Sequence, residues 1–141
     1  MNDFDEYQKL IRYQYGTYSF ILLLVLTFVN YFLSFIFEIQ WAETKELEFM
    51  LLAFISVLYF TAMSVYKGAY FRKKQRPIVN ASLFTLVGLI NIYISVSSST
   101  PLIKNGQVTF NSITLVSGLF LITVPIAYLT RIIVEKRKEA E

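Results

Sequence analysis

The sequence predicts an all-α membrane protein, with four transmembrane helices in two antiparallel hairpins, and three observations predict it. The stretches Tyr13–Phe37, Phe49–Tyr66, Pro77–Ile103 and Asn105–Thr130 contain no Asp, Glu, Lys or Arg and are rich in Leu, Ile, Val and Phe. A hydrocarbon core about 30 Å thick takes roughly 20 helical residues to cross, so each stretch is long enough to span it. The composition agrees: 55% of the 141 residues are hydrophobic and 17% aromatic, with a mean hydropathy of +0.52. That exceeds what one soluble core of this size can hide. Cation placement supplies the third observation. Lys9 and Arg12 precede the first stretch, Lys67–Arg76 separates the second from the third, and Arg131, Lys136, Arg137 and Lys138 follow the fourth. Only Lys45 and Lys104 fall on the other side. The positive-inside rule therefore puts both termini and the Lys67–Arg76 loop in the cytoplasm.

The chain reads as a single four-helix domain over residues 1–141, with short connections that leave no room for a soluble domain. Residues 2–18 read as an amphipathic helix entering the first span, capped by Asp3 with Glu6 three residues on. Phe4, Tyr7, Ile11, Tyr15 and Tyr18 share one narrow arc, with Asp5, Lys9 and Arg12 opposite. Such a face rests at the inner interface, or simply extends the spanning helix with tyrosines at headgroup level. The first span covers about Gly16–Ile39 and is no cleavable signal peptide, since its apolar run is too long and no small-x-small site follows.

The second span covers about Leu47–Tyr70. The connection Gln40–Glu46 is too short for anything but an antiparallel hairpin, and Trp41 stands where an interfacial anchor belongs. Glu38, Glu43, Glu46 and Glu48 make this rim acidic. Glu38 or Glu48 could titrate at a cation or proton entry site. The simpler expectation is that both reach water from helix ends, Glu48 being favoured there by the helix dipole.

The loop Lys67–Pro77 is basic with interleaved aromatics. At a membrane boundary Lys67, Arg72, Lys73, Lys74 and Arg76 face anionic lipid headgroups rather than nucleic acid. Beyond it, the third span covers about Ile78–Ser98, and the fourth about Ser112–Glu135. Gly88, Asn91, Ser95 and Ser98 share one arc of the third. Thr114, Ser117, Gly118, Pro125 and Tyr128 share one arc of the fourth. Stripes of small and weakly polar residues let helices approach closely in lipid and bond across the contact. Lining a polar pathway would normally add a charge at mid-membrane depth, and these stripes carry none. Pro125 is expected to kink the fourth helix.

Between these spans, Asn105-Gly106 flanked by β-prone residues predicts a small β-hairpin with a type I′ turn. A hairpin that small needs support from the helix ends or the membrane surface. Asn30-x-x-x-Ser34 recurs as Asn91-x-x-x-Ser95, and a basic cluster follows each helical hairpin. Duplication would relate two such hairpins by an axis along the membrane normal. Asn30 and Asn91 are the most interesting polar groups at membrane depth, and an Asn–Asn or Asn–Ser bond between helices accounts for them better than a substrate.

Without His or Cys, no Ser/His/Asp or Cys/His set and no common zinc or haem site is available. No phosphate-binding glycine loop occurs, and no acidic pair lies within a span. No cofactor, metal or catalytic residue is expected. Asp5-Glu6, then Ile11-Arg12-Tyr13-Gln14-Tyr15-Gly16, Ser19-Phe20 and Lys67-Gly68-Ala69-Tyr70, resembles small four-span membrane proteins of unknown function in Gram-positive bacteria. That resemblance implies a four-helix domain in the bacterial cell membrane and brings no activity with it. The expectation is a non-catalytic accessory or regulatory protein acting through helix–helix or lipid contacts. Its candidate partners are membrane lipids, another membrane protein or a second copy. The alternative is a subunit of an oligomeric transporter or channel.

Overall fold

The computed structural model describes residues 4–72 and 75–139. Four helices, α1 (Glu6–Ile36), α2 (Lys45–Tyr66), α3 (Pro77–Ser97) and α4 (Asn111–Glu139), are joined between α3 and α4 by strands β1 (Ile103–Lys104) and β2 (Gln107–Val108). All four helices are long and apolar enough to cross a membrane, which makes this a multi-pass integral membrane protein.

α1 is one continuous helix of 31 residues, about 46 Å at 1.5 Å per residue and so longer than the hydrocarbon core. The amphipathic segment is thus continuous with the spanning helix, and it carries Ile11, one of the two buried residues of α1. Its cap differs from the expectation. Asp5 accepts from the Gln8 backbone N–H at 2.7 Å while the Asp5 N–H donates to Gln8 Oε1 at 3.3 Å, closing a capping box. Asp3 lies outside the described residues. Gln8 has the geometry that favours Asp5, because its side chain also donates to Gly68 O at 2.9 Å and Phe71 O at 3.3 Å. One residue thereby caps α1 and ties it to the loop after α2.

Thr44 caps α2 through the Leu47 N–H. Its other end stops earlier than predicted, at a glycine. The Ala69 N–H donates to Ser64 O at 2.8 Å and the Gly68 N–H to Val65 O at 3.0 Å, with Gly68 at φ 73°. This is a Schellman termination, whose left-handed position suits glycine. α4 runs as one element through Pro125, with Lys136, Arg137 and Lys138 in its last turn. Cations there complement the helix dipole.

The helices pack as α1 on α2, α2 on α4 and α4 on α3, the last being the most extensive contact. Their spatial order is therefore α1–α2–α4–α3, with α1 and α3 at the margins. Only Ile11 and Ser19 of α1 are buried. This order has the symmetry that duplication of a helical hairpin would give, although the two matched asparagines make different contacts, as described below.

The α3–α4 contact is close because glycine meets glycine. A Cβ on Gly88 would stand 2.9 Å from Gly118 O, and one on Gly118 would stand 2.8 Å from Gly88 O. Gly88, Asn91 and Ser95 of one stripe and Ser117 and Gly118 of the other meet at this contact, as their spacing predicts, while Ser98 is exposed just past the end of α3.

The β-hairpin forms where predicted. Ile103 pairs with Val108 and Lys104 with Gln107, across Asn105 at φ 53° and Gly106 at φ 79°. Its support is the α1–α2 connection. The Val108 N–H donates to Trp41 O and the Glu43 N–H to Val108 O, both at 2.9 Å, so residues 41–43 lie parallel to β2 as a rudimentary third strand. Beneath this cap sit Ala42, Leu47 and Leu51, packed against Trp41, Val108 and Ile113.

Candidate functional site

Glu48 lies in the first turn of α2, directly under the cap, and is 1% exposed. It is not solvated, contrary to the simpler expectation from its position at a helix start. The connection folds back over the helix end and covers it. Three groups donate to its carboxylate: the Trp41 N–H to Oε1 at 2.8 Å, the Ala42 N–H to Oε1 at 3.4 Å, and Asn30 Nδ2 to Oε2 at 2.9 Å. The Trp41 indole then donates to Asn30 Oδ1 at 2.6 Å. The circuit joins α1, the connection and α2, and both ends of the Asn30 amide are engaged.

No Lys or Arg among the described residues pairs with Glu48. Its charge is answered by amide dipoles and by its place at a helix N-terminus. A buried carboxylate is costly unless hydrogen-bonded, so the donors hold the connection in one conformation. Chemically the arrangement is a latch.

The other predicted polar residues separate into different settings. Asn30 bonds to a carboxylate and an indole rather than to Asn or Ser. Asn91 does make an Asn–Ser contact, its Nδ2 reaching Ser117 Oγ on α4 at 3.4 Å. Ser95 is buried and donates towards Asn111, 3.1 Å from its backbone O, while Asn111 Nδ2 returns a bond to Ser95 O at 2.9 Å. Glu38 is exposed, beyond the end of α1, at φ 52°. The structure therefore brings Asn30 and Glu48 together and leaves Glu38, Asn91 and Ser95 apart from them.

At the opposite end of the bundle, Lys67 caps α2 and Arg76 precedes α3, both exposed. Arg72 is exposed, with its guanidinium 5.9 Å from the Phe4 ring centroid. Lys73 and Lys74 lie outside the described residues. Arg131 on α4 escaped the sequence reading, which used it only as a topological charge. Its guanidinium lies against Gly68, where any Cβ would overlap it, and its Nε donates to Glu135 Oε1 at 2.7 Å. The i,i+4 spacing of Arg131 and Glu135 was the available signal for that pair. Nothing local in the sequence couples Arg131 to Gly68.

Among the described residues no group of three or more Asp or Glu is placed to hold a metal ion. The fold and its latch define a multi-pass membrane protein whose polar groups at membrane depth mostly bond within the chain. Comparison with known proteins returned no match to any family model, curated protein or solved structure.

Proposed function

We propose that this is a non-catalytic accessory or regulatory membrane protein that works through contacts with lipids or with the helices of a partner. Both termini are assigned to the cytoplasm on the positive-inside argument. The observation that carries the proposal is the disposition of polar groups. Asn30, Glu48, Asn91 and Ser95 all bond to neighbours within the fold, while marginal α1 from Phe20 to Ile36 exposes only aliphatic and aromatic side chains. Groups engaged in this way hold helices together, and what remains outward is a surface for lipid or protein.

The buried Glu48 favours a second reading, a subunit of an oligomeric transporter, because a carboxylate at membrane depth marks many ion and proton pathways. Its enclosure by three donors and by Trp41 supports the latch instead. Purification of the full chain in mild detergent, followed by mass spectrometry, tests the first reading. A specific membrane protein should co-purify, and neutralising Arg72, Lys73 and Lys74 together should weaken that association. Proton or solute flux in proteoliposomes that is abolished by Glu48→Gln, with no partner recovered, would reverse the order of the two readings.

A further inference from the structure

At the end of the bundle that carries both termini, a recess of about 290 Å³ lies between α1, α2 and α4. Lys67, Arg131 and Lys138 line it, with Tyr7 and Tyr66 on its walls. Glu135 is the single acidic residue there, and it engages only the Nε of Arg131. Nη1 and Nη2 have no hydrogen-bond acceptor among the described residues. The guanidinium is placed by Gly68, whose missing side chain is the space it occupies. The recess thus has a net excess of cationic groups and one planar fork with free donors, which suits a phosphate.

A second hollow, of about 510 Å³ and almost purely apolar, lies further along α1 and α2 towards the middle of the bundle, lined by Tyr18, Ile21, Leu22, Val25 and Tyr59. The two hollows open on the same side of the α1–α2 pair. Eleven residues separate Tyr7 from Tyr18 and seven separate Tyr59 from Tyr66, so each pair lies within about 20° on its helix at 3.6 residues per turn. The axial offset is about 16 Å along α1 and about 10 Å along α2. Half of the hydrocarbon core is about 15 Å deep. A cationic pocket with an apolar groove displaced from it by about 10–16 Å lies within the reach of one phospholipid, headgroup to acyl chain.

We propose that the recess and the groove together bind a single anionic phospholipid. The headgroup phosphate lies among Lys67, Arg131 and Lys138, and an acyl chain follows the α1–α2 groove past Tyr18 and Tyr59. The apolar groove is the reason for choosing a lipid over a free phosphate, which would have no use for it. The inference deepens the lipid-contact part of the proposed function, and it does not depend on whether a protein partner exists.

The test uses the full chain in a mild non-ionic detergent, offered phosphatidylglycerol, phosphatidylcholine or inorganic phosphate, with bound lipid counted by native mass spectrometry. Phosphatidylglycerol should be retained about tenfold better than phosphatidylcholine. Arg131→Gln combined with Lys138→Gln should bring the two lipids to parity, while Arg131→Lys keeps most of the preference. Val25→Phe, which fills the groove, should lower retention of both lipids and leave their ratio unchanged. Circular dichroism of each variant should show native helicity, so that binding rather than folding is read. Equal retention of the two lipids by the unaltered chain would overturn the proposal. So would a preference that survives loss of both cations, or displacement of lipid by millimolar inorganic phosphate, which would mark a free-anion site. Because co-purification of a protein partner is scored separately, failure here is distinguishable from failure of the accessory reading.

Discussion

The two ends of this bundle treat charge in opposite ways. At the β-hairpin end the Glu48 carboxylate is enclosed, and its acceptors are occupied by Asn30, Trp41 and Ala42. At the end where α1 begins and α4 ends, Lys67, Arg131 and Lys138 line an open recess, and the Nη groups of Arg131 have no hydrogen-bond acceptor among the described residues. A charge answered from within stabilises a conformation. One left open is available to something outside the chain. On the proposal made above, the first end is structural and the second is where an anionic lipid binds.

Removing the enclosed charge should have the largest effect on stability. Glu48→Ala leaves the Trp41 N–H and the Asn30 amide without an acceptor, and a buried carboxylate removed from its donors costs on the order of 3 kcal/mol. Denaturation in a mixed-micelle titration should show that loss. The fluorescence of Trp41, the one tryptophan of the chain, should shift to the red as its indole is released. An unchanged spectrum and midpoint would show that the latch holds nothing.

The close approach of α3 and α4 comes next. Gly118→Leu forces a side chain against Gly88 O and Ile92, and overpacking of this kind costs about 2 kcal/mol. The same denaturation assay reads it, and the Trp41 spectrum should stay put because the clash is on the other hairpin. Trp41→Phe keeps an aromatic side chain, smaller than the indole, but loses the donor to Asn30, a loss of about 1 kcal/mol. Smallest is Ser64→Ala. Ser64 is fully buried, and its Oγ finds no hydrogen-bond partner among the described residues. Removing an unsatisfied hydroxyl should leave stability unchanged or raise it by up to about 1 kcal/mol, whereas Ser95→Ala, at a bonded hydroxyl, should lower it.

The asymmetry between the ends also marks what could be read from sequence. The spans are legible because lipid demands long uncharged runs. The Asn105-Gly106 turn is legible because both residues must take positive φ, and the Gly88 and Gly118 stripes because close helix approach demands small residues. These features depend on local pattern. The enclosure of Glu48 is not legible because it is made by Trp41 and Ala42 folding back over the helix start, an event no periodicity records. The cap of α1 moved from Asp3 to Asp5 because Gln8 answers both Asp5 and the distant Gly68 and Phe71 carbonyls. Arg131 was invisible as a placed residue because its neighbour Gly68 is far away in the chain. The order α1–α2–α4–α3 likewise rests on which faces meet, and composition alone leaves several orders open.

Thermal unfolding of the intact chain, Glu48→Gln and Arg131→Gln, each with and without added phosphatidylglycerol, tests the division most directly. The account predicts a lower Tm for Glu48→Gln with the lipid-induced rise intact, and a near-native Tm for Arg131→Gln with that rise clearly reduced. If Glu48→Gln leaves Tm untouched, or if both variants respond to the lipid as the intact chain does, the two ends do not have the separate roles assigned to them.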